Sequence, residues 1–94
     1  MKEAKPLNQL IFQFLQNLGI KAKVEENYAL VYWDTVVGKE ISEHTEPFKI
    51  SNGTIFVKVN DTTWRNELQY FKNEIIEKLN NKIGKKVVND IKFY

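Results

Sequence analysis

Apolar residues recur along the chain with a helical period, then with a strand period, and then with a helical period again. Between residues 7 and 18 they follow a three-four spacing, which predicts an amphipathic helix that ends at Gly19. A second helix is predicted over residues 25–43, with Gly38 expected to bend or interrupt it. A short strand competes for part of that segment, because valine and tyrosine are frequent there. The first apolar stripe consists of Leu7, Leu10, Ile11, Phe14, Leu15 and Leu18.

The middle of the chain predicts a β-hairpin. Pro47 ends the helical pattern and is followed by a short strand. Asn52-Gly53 then supplies the two residues that a type I′ turn requires, because both central positions of that turn have positive φ. The segment "TIFVKV" after the turn alternates, which predicts a strand with one apolar face. That face carries Ile55, Val57 and Val59, and the opposite face carries Thr54, Phe56 and Lys58.

A third helix is predicted over residues 62–83, capped by Asn60 or Asp61 and ended by Gly84. Its single apolar stripe predicts that one side of the helix packs against the core, with Trp64 as a core residue. The closing segment "KVVNDIKFY" predicts a last strand with Val87, Ile91 and Phe93 on one side. The helical stripe consists of Trp64, Leu68, Phe71, Ile75, Leu79 and Ile83.

The predicted order of elements is therefore α-α-β-β-α-β, which defines an α+β protein. One helix joins the hairpin to the last strand, so we expect a small three-stranded sheet covered by helices on one face. The length of 94 residues predicts a single domain over 1–94, with residues 1–5 as the segment expected to fray.

Composition excludes several classes of function. The chain has no cysteine, so it has no disulfide, thiol nucleophile or cysteine-bound zinc. We find no signal-peptide pattern and no apolar run long enough to cross a bilayer, and we expect a cytoplasmic protein. The single histidine, His44, favours a surface or capping role over a metal site. No phosphate-binding glycine loop or nucleophile motif occurs, so we expect neither an enzyme nor a cofactor.

The strongest candidate surface is the face of the sheet opposite the helices. If Ile55, Val57 and Val59 face the core, this surface collects Phe56, Lys58, Lys92 and Tyr94. Lys49 joins them if Phe48 and Ile50 point inward. Aromatic rings that alternate with lysines suit nucleic acid, because bases stack on rings and ammonium groups meet phosphates. A solvated face, or a contact surface for a second subunit, explains the same pattern.

Two smaller groups of cations are further candidates for nucleic-acid contacts. Lys82, Lys85 and Lys86 surround the end of the third helix, where the helix dipole alone would favour lysine. Lys85 and Lys86 also precede the strand that bears Lys92, so the two groups could form one basic track. Arg65 lies at the start of the third helix, whose free N–H groups favour anions.

An ordered set of short motifs extends from about residue 7 to the end of the chain. They are Trp33 with Val36, Val37 and Gly38; His44, Thr45 and Pro47; Asn52, Gly53, Ile55 and Val57; Trp64, Glu67 and Leu68; Leu79, Asn80, Ile83 and Gly84; and the terminal "VNDIKFY". In this order they resemble the DciA-type proteins of bacterial replication. The resemblance implies a KH-like domain that binds DNA and assists the replicative helicase, DnaB. The Gly-x-x-Gly loop of standard KH domains is absent from this sequence.

The function expected from this resemblance is a nucleic-acid-binding adaptor for loading or operating the helicase. Its partners would be single-stranded or forked DNA and the helicase itself, with no role for a membrane. The alternatives are a protein–protein module, which includes a homo-oligomer formed through the sheet face or an edge strand, and an RNA-binding domain without a helicase role.

Overall fold

The computed structural model describes residues 7–94, so the segment expected to fray lies outside the described residues. The α+β class and the α-α-β-β-α-β order are both confirmed, although the bounds of the first two helices differ from the prediction. The elements are α1 (Leu7–Val37), α2 (Lys39–Ser42), β1 (Thr45–Ser51), β2 (Thr54–Val59), α3 (Thr62–Ile83) and β3 (Asp90–Phe93).

The first helix is one continuous element where the sequence pattern predicted two. The predicted end at Gly19 is wrong, because α1 continues through this residue to Val37. A single glycine costs a helix only about 1 kcal/mol relative to alanine, and the lysine and alanine residues that follow Gly19 favour helix. The strand considered for part of residues 25–43 is also wrong, since this segment is helical as far as Val37.

Gly38 interrupts the helical segment, as predicted. Its φ of 89° and ψ of 165° lie in a region that is essentially restricted to glycine. One helical turn, α2, follows and redirects the chain into β1. The bend also brings Trp33 and Thr45 together, and the Trp33 Nε1–H donates to Thr45 Oγ1 at 2.9 Å.

β2 is the central strand of the three-stranded sheet, antiparallel to β1 and parallel to β3. The predicted hairpin turn is confirmed, with φ of 51° at Asn52 and 81° at Gly53. Gly53 also packs closely against the Asn89 side chain, and a Cβ at this position would collide with it. Its N–H donates to Glu26 Oε2 at 3.1 Å, which ties the turn to α1.

One face of the sheet is buried under the two long helices. Ile55, Val57 and Val59 of β2 and Ile91 of β3 are fully or almost fully buried, as the alternating pattern predicted, and Phe93 is partly buried against them. The second half of α1 packs on β1, and α3 packs on β2 and β3. The core consists of Ala29, Trp33, Ile55, Val57, Val59, Leu68, Ile75, Leu79, Val88 and Ile91.

α3 has the bounds and caps that its sequence predicted. Asp61 Oδ1 accepts the Trp64 N–H at 3.0 Å, and Gly84 ends the helix in the left-handed conformation. Leu68, Ile75 and Leu79 of its apolar stripe are buried, whereas Trp64, Phe71 and Ile83 are not fully buried. Phe71 remains 40% exposed, and Trp64 is half-buried at the edge of the core with its ring stacked on His44.

α1 and α3 run antiparallel, and α1 extends well beyond the end of α3. Lys82 Nζ lies 5.7 Å from the Tyr32 ring centroid, and Lys85 Nζ lies 3.1 Å from Glu25 Oε2. The part of α1 that precedes Glu25, Leu7–Val24, projects past these contacts, and we call it the overhang. The apolar stripe identified in the sequence begins in this overhang, and the continuous helix carries it away from the body. Leu10, Ile11, Phe14 and Leu18 are between 46% and 62% exposed.

The connection from α3 to β3 is held by the side chain of Asn80. Its Oδ1 accepts the N–H groups of Val87 at 2.9 Å and Val88 at 2.8 Å. Its Nδ2 donates to the Val88 carbonyl at 2.9 Å. Since Val88 is fully buried and β3 begins two residues later, these three hydrogen bonds position the third strand.

Replacing Asn80 with alanine should destabilise the domain by about 2–4 kcal/mol, because three hydrogen bonds disappear and partly buried backbone groups lose their partners. Urea unfolding followed by circular dichroism measures this change. The control is Asn81→Ala at the exposed neighbouring position, which should change stability by less than about 0.7 kcal/mol. Equal effects of the two substitutions would contradict the role of Asn80.

Replacing Gly19 with alanine should stabilise α1 by about 1 kcal/mol, because this glycine lies inside a helix and a Cβ would meet nothing within 4 Å. Amide hydrogen exchange across the overhang should slow, and helicity by circular dichroism should rise. Gly38→Ala is the matched contrast and should destabilise the protein by about 1–3 kcal/mol because of its backbone conformation. A loss of helicity in Gly19→Ala would show that the helix ends at this residue after all.

Candidate nucleic-acid interface

The outward face of the sheet brings together the five residues that the sequence placed there. The paired positions Phe56 and Lys92 lie side by side, and Lys49 is opposite Phe56 on the other neighbouring strand. Tyr94 continues the pairing of β3, since its N–H donates to the Val57 carbonyl at 2.8 Å. We call this surface the aromatic–lysine face, and it comprises Phe48, Lys49, Phe56, Lys58, Lys92 and Tyr94.

Phe48 belongs to this face, although the sequence analysis placed Lys49 here only on the condition that Phe48 and Ile50 point inward. The register of β1 shifts between Pro47 and Lys49, so that Phe48 is an extra residue without a partner on β2. Such a bulge interrupts the alternation of a strand and leaves consecutive side chains on the same side. Lys49 therefore reaches the outward face as expected, whereas the condition that Phe48 points inward is wrong. Ile50 does point inward and packs against the core.

Three aromatic rings form a triangle on the aromatic–lysine face. Ring centroids are 6.3 Å apart for Phe48 and Phe56, 6.1 Å for Phe48 and Tyr94, and 6.2 Å for Phe56 and Tyr94. These separations fall in the range of favourable aromatic pairs, so the rings stabilise one another. Phe48 and Tyr94 nevertheless remain about half exposed, at 47% and 53%. The triangle is thus an ordered apolar platform that is open to solvent.

Lysines surround this triangle and contact its rings. Lys49 Nζ lies 5.3 Å from the Phe56 ring centroid, and Lys58 Nζ lies 5.4 Å from that of Phe48. Cation–π contacts at exposed sites contribute about 0.5–1 kcal/mol, enough to bias where an ammonium group rests. Glu46 lies opposite Lys58 in the register and adds one negative charge to the edge of the face.

Lys82, Lys85 and Lys86, at the end of α3 and in the loop after it, form a separate group on the side of the sheet that the helices cover, and we call them the loop lysines. Lys85 is paired with Glu25 on α1, and Lys82 covers the ring of Tyr32 on the same helix. Lys86 is exposed beside them. Since Lys92 lies on the opposite, outward face, the loop lysines do not continue the aromatic–lysine face. The single basic track considered from the sequence is therefore not formed.

Arg65 lies in the first turn of α3, apart from the aromatic–lysine face. Its Nη2 is 3.4 Å from Thr62 Oγ1, and the side chain is only half-exposed. The carboxylate of Asp61 already accepts a backbone N–H at this helix end. This negative charge repels a phosphate at the same position. The attraction of a phosphate to Arg65 and the helix end is therefore weaker than the sequence suggested.

Within residues 7–94, neither a metal-binding cluster nor a membrane-spanning helix is found. No three His, Cys, Asp or Glu side chains of this range converge to hold a metal ion. His44 instead stacks on Trp64, with Nδ1 3.0 Å from Asn60 Oδ1. None of the helices described is long and apolar enough to span a bilayer.

Phe48 is the one residue of the face that the alternating pattern missed. A signal was present in the sequence, because proline inside a strand is confined to edges and bulges. Pro47 directly precedes Phe48, and β1 is an edge strand with a bulge at this point. The unbroken alternation of β2 and of the last strand predicted Phe56, Lys58, Lys92 and Tyr94.

The protein has a small α+β fold with a three-stranded mixed sheet. Helices cover one face of this sheet, and the aromatic–lysine face is exposed on the other. The family model of DciA, described as the Dna[CI] antecedent, matches residues 6–93. The chain belongs to the DciA family, which confirms the resemblance found in the sequence.

Two of the curated relatives that the chain resembles are mycobacterial proteins. A UPF0232 protein of Mycobacterium tuberculosis is 26% identical over 92 residues, which cover 98% of this chain and 49% of the relative. A UPF0232 protein of Mycolicibacterium paratuberculosis is 28% identical over 91 residues, which cover 97% of this chain and 50% of the relative. The chain therefore spans about half the length of the curated relatives it matches, and their names state no activity.

Proposed function

We propose that this domain is a non-enzymatic nucleic-acid-binding adaptor that assists the loading or activity of the bacterial replicative helicase, a DnaB-type enzyme. Membership of the DciA family supports the replication context. The observation that carries the nucleic-acid role is the aromatic–lysine face, which combines three aromatic rings with three lysines on one exposed surface. The proposed setting is the cytoplasm, where the chromosome is replicated.

The geometry of the face suits a single strand better than a duplex. A nucleic-acid base can stack on a half-exposed ring such as Phe48 or Tyr94, whereas bases in a duplex are already stacked. The ammonium groups of Lys49 and Lys58 lie over the rings of Phe56 and Phe48, within reach of the phosphates that flank a stacked base. Rings and lysines would therefore contribute to the same binding event.

The remaining candidate cations would make secondary contacts. Lys86 is exposed near the hairpin end of the sheet. Lys82 and Lys85 could bind a phosphate only after breaking their contacts with Tyr32 and Glu25. Arg65 lies near the opposite end, because α3 begins directly after β2. A forked substrate is long enough to touch both ends while its single strand lies on the sheet.

Charge reversal of both Lys58 and Lys92 to glutamate should weaken binding to single-stranded and forked DNA without unfolding the domain, because both side chains are exposed. Losing two lysine–phosphate contacts should reduce the slope of log affinity against log salt by about 1.4 on a single strand. Fluorescence anisotropy with labelled DNA at several salt concentrations measures both effects.

The matched control reverses Lys23 and Lys39, which are exposed on helices and change the net charge by the same amount. This control should bind DNA much more tightly than the Lys58/Lys92 variant. If the two double variants lose affinity equally, binding depends on net charge alone and the proposed surface is wrong. Unchanged affinity in the Lys58/Lys92 variant would also exclude this surface.

A protein–protein module is the second candidate, and the exposed aromatic triangle favours it because clustered exposed rings are frequent at the centres of protein interfaces. The partner would be a helicase subunit or a second copy, bound through the sheet face or through an edge strand, β1 or β3. RNA is a further possible ligand for the same rings, and competition between RNA and DNA of equal length distinguishes the two nucleic acids.

If the face binds protein, Phe56→Ala should weaken the interaction with purified helicase by about tenfold or more, and added salt should change this loss little. Titration calorimetry at two salt concentrations measures the effect. Tyr70→Ala is the control, because Tyr70 is 85% exposed on α3 and lies outside the aromatic–lysine face. A loss that appears only in DNA binding would assign the rings to nucleic acid instead.

A further inference from the structure

The three rings of the aromatic–lysine face differ in what already covers them. Lys58 Nζ lies 5.4 Å from the ring centroid of Phe48, and Lys49 Nζ lies 5.3 Å from that of Phe56. In the described part of the chain, no ammonium group lies over the ring of Tyr94, which is 53% exposed. A planar ligand can therefore cover Tyr94 without displacing a lysine.

The inclination of the rings limits how many bases can stack here. The planes of Tyr94 and Phe56 are 21° apart, whereas Phe48 is inclined by 57° to Tyr94 and by 48° to Phe56. A base that stacks on Tyr94 therefore cannot lie parallel to Phe48 as well. Phe56 is nearly parallel to Tyr94, but it is half-buried and Lys49 covers it. One base can thus stack without rearranging the face.

A base that stacked on Phe48 or Phe56 would first have to displace a lysine. The lost cation–π contact would lower the binding constant by about two- to fivefold, whereas the stacking of one base on a ring raises it by about five- to 150-fold. Stacking on Tyr94 has this gain without the loss. It also leaves the two ammonium groups where the other rings hold them.

Tyr94 is fixed by the backbone of β2 and lies between two lysines. Its N–H donates to the Val57 carbonyl and its carbonyl accepts the Val59 N–H, each at 2.8 Å. These hydrogen bonds place Tyr94 beside Lys58, which points to the same outward face. Lys92 precedes Tyr94 by two positions and is also outward and exposed. Lysines therefore flank Tyr94 along its own strand and on the next one.

We propose that the aromatic–lysine face takes one unpaired nucleobase at a time, stacked on Tyr94, with the neighbouring phosphates bound by Lys58 and Lys92. The two phenylalanine rings orient the lysines that cover them and do not stack on the base. This inference rests on the proposed nucleic-acid function and deepens it, because it names the part of the strand that is bound. The ligand is a short single strand, held by one base and by the charges on either side of it.

The test uses three DNA strands of equal charge, each about eight nucleotides long. The first has an abasic sugar at every position, the second carries one adenine at its centre, and the third carries two adjacent adenines. The single adenine should raise the affinity of the wild-type protein by about tenfold, within the range for one stacked base. The second adenine should add no more than about twofold, because it only offers an alternative base to the same site.

Substitutions on the face assign the base to one ring. Tyr94→Ala should remove the difference between the abasic and the single-adenine strands and leave the affinity for the abasic strand nearly unchanged, because the lysines remain. Tyr94→Phe should keep the difference, since it retains a ring, and Phe48→Ala should keep it because that ring does not touch the base. Tyr70→Ala, at a tyrosine that is 85% exposed on α3, is the control. Circular dichroism shows whether each variant keeps its fold.

The outcomes separate this inference from the function on which it rests. Failure of every strand to bind at low salt, natural single-stranded DNA included, would overturn both. Equal affinity for the abasic and single-adenine strands, with binding that still weakens with salt, would overturn the stacked base alone. A further gain of about tenfold from the second adenine would mean that more than one base stacks. Loss of the difference in Phe48→Ala but not in Tyr94→Ala would assign the base to Phe48, and either result overturns the proposal.

Discussion

The parallel pairing of β2 and β3 is the constraint on which the rest of the domain depends. Parallel neighbours cannot be joined by a tight turn, so the chain must cross the sheet, and α3 makes that crossing. The crossing buries the inward face of the central strand under Leu68 and Leu79. With helices confined to one side, the other face of the sheet remains in water. The aromatic–lysine face is thus a consequence of the topology as well as of the residues that compose it.

Local signals predicted the second half of the fold well. The hairpin turn, the caps of α3 and the alternation of β2 each depend on residues within a few positions of one another, and each was found where expected. The first helices were predicted less well, because a glycine followed by helix-favouring residues is compatible with either a stop or a continuation. The structure shows that the helix continues, because α1 runs without a break from Leu7 to Val37.

In the candidate site too, the sequence predicted what neighbouring residues determine and missed what contacts between distant residues determine. Phe56, Lys58 and Lys92 could be assigned to a face because their strands alternate without interruption. Phe48 was not assigned by alternation, because the inserted residue leaves Phe48 and Lys49, two consecutive side chains, on the same side of the strand. Charges that looked alike in sequence also differ in the fold. Lys85 is engaged by Glu25, a partner 60 positions earlier that no local pattern could reveal.

The order of the strands along the chain has a consequence for synthesis on the ribosome. β2 is the central strand, but its second neighbour, β3, is made only after the whole of α3. Until then, one edge of β2 is open and its apolar residues Ile55 and Val57 are accessible to other chains. Lys58 interrupts this apolar segment, as charged residues do where a strand must be protected from aggregation. The side chain proposed to meet a phosphate in the finished protein would thus already act as a gatekeeper in the nascent one.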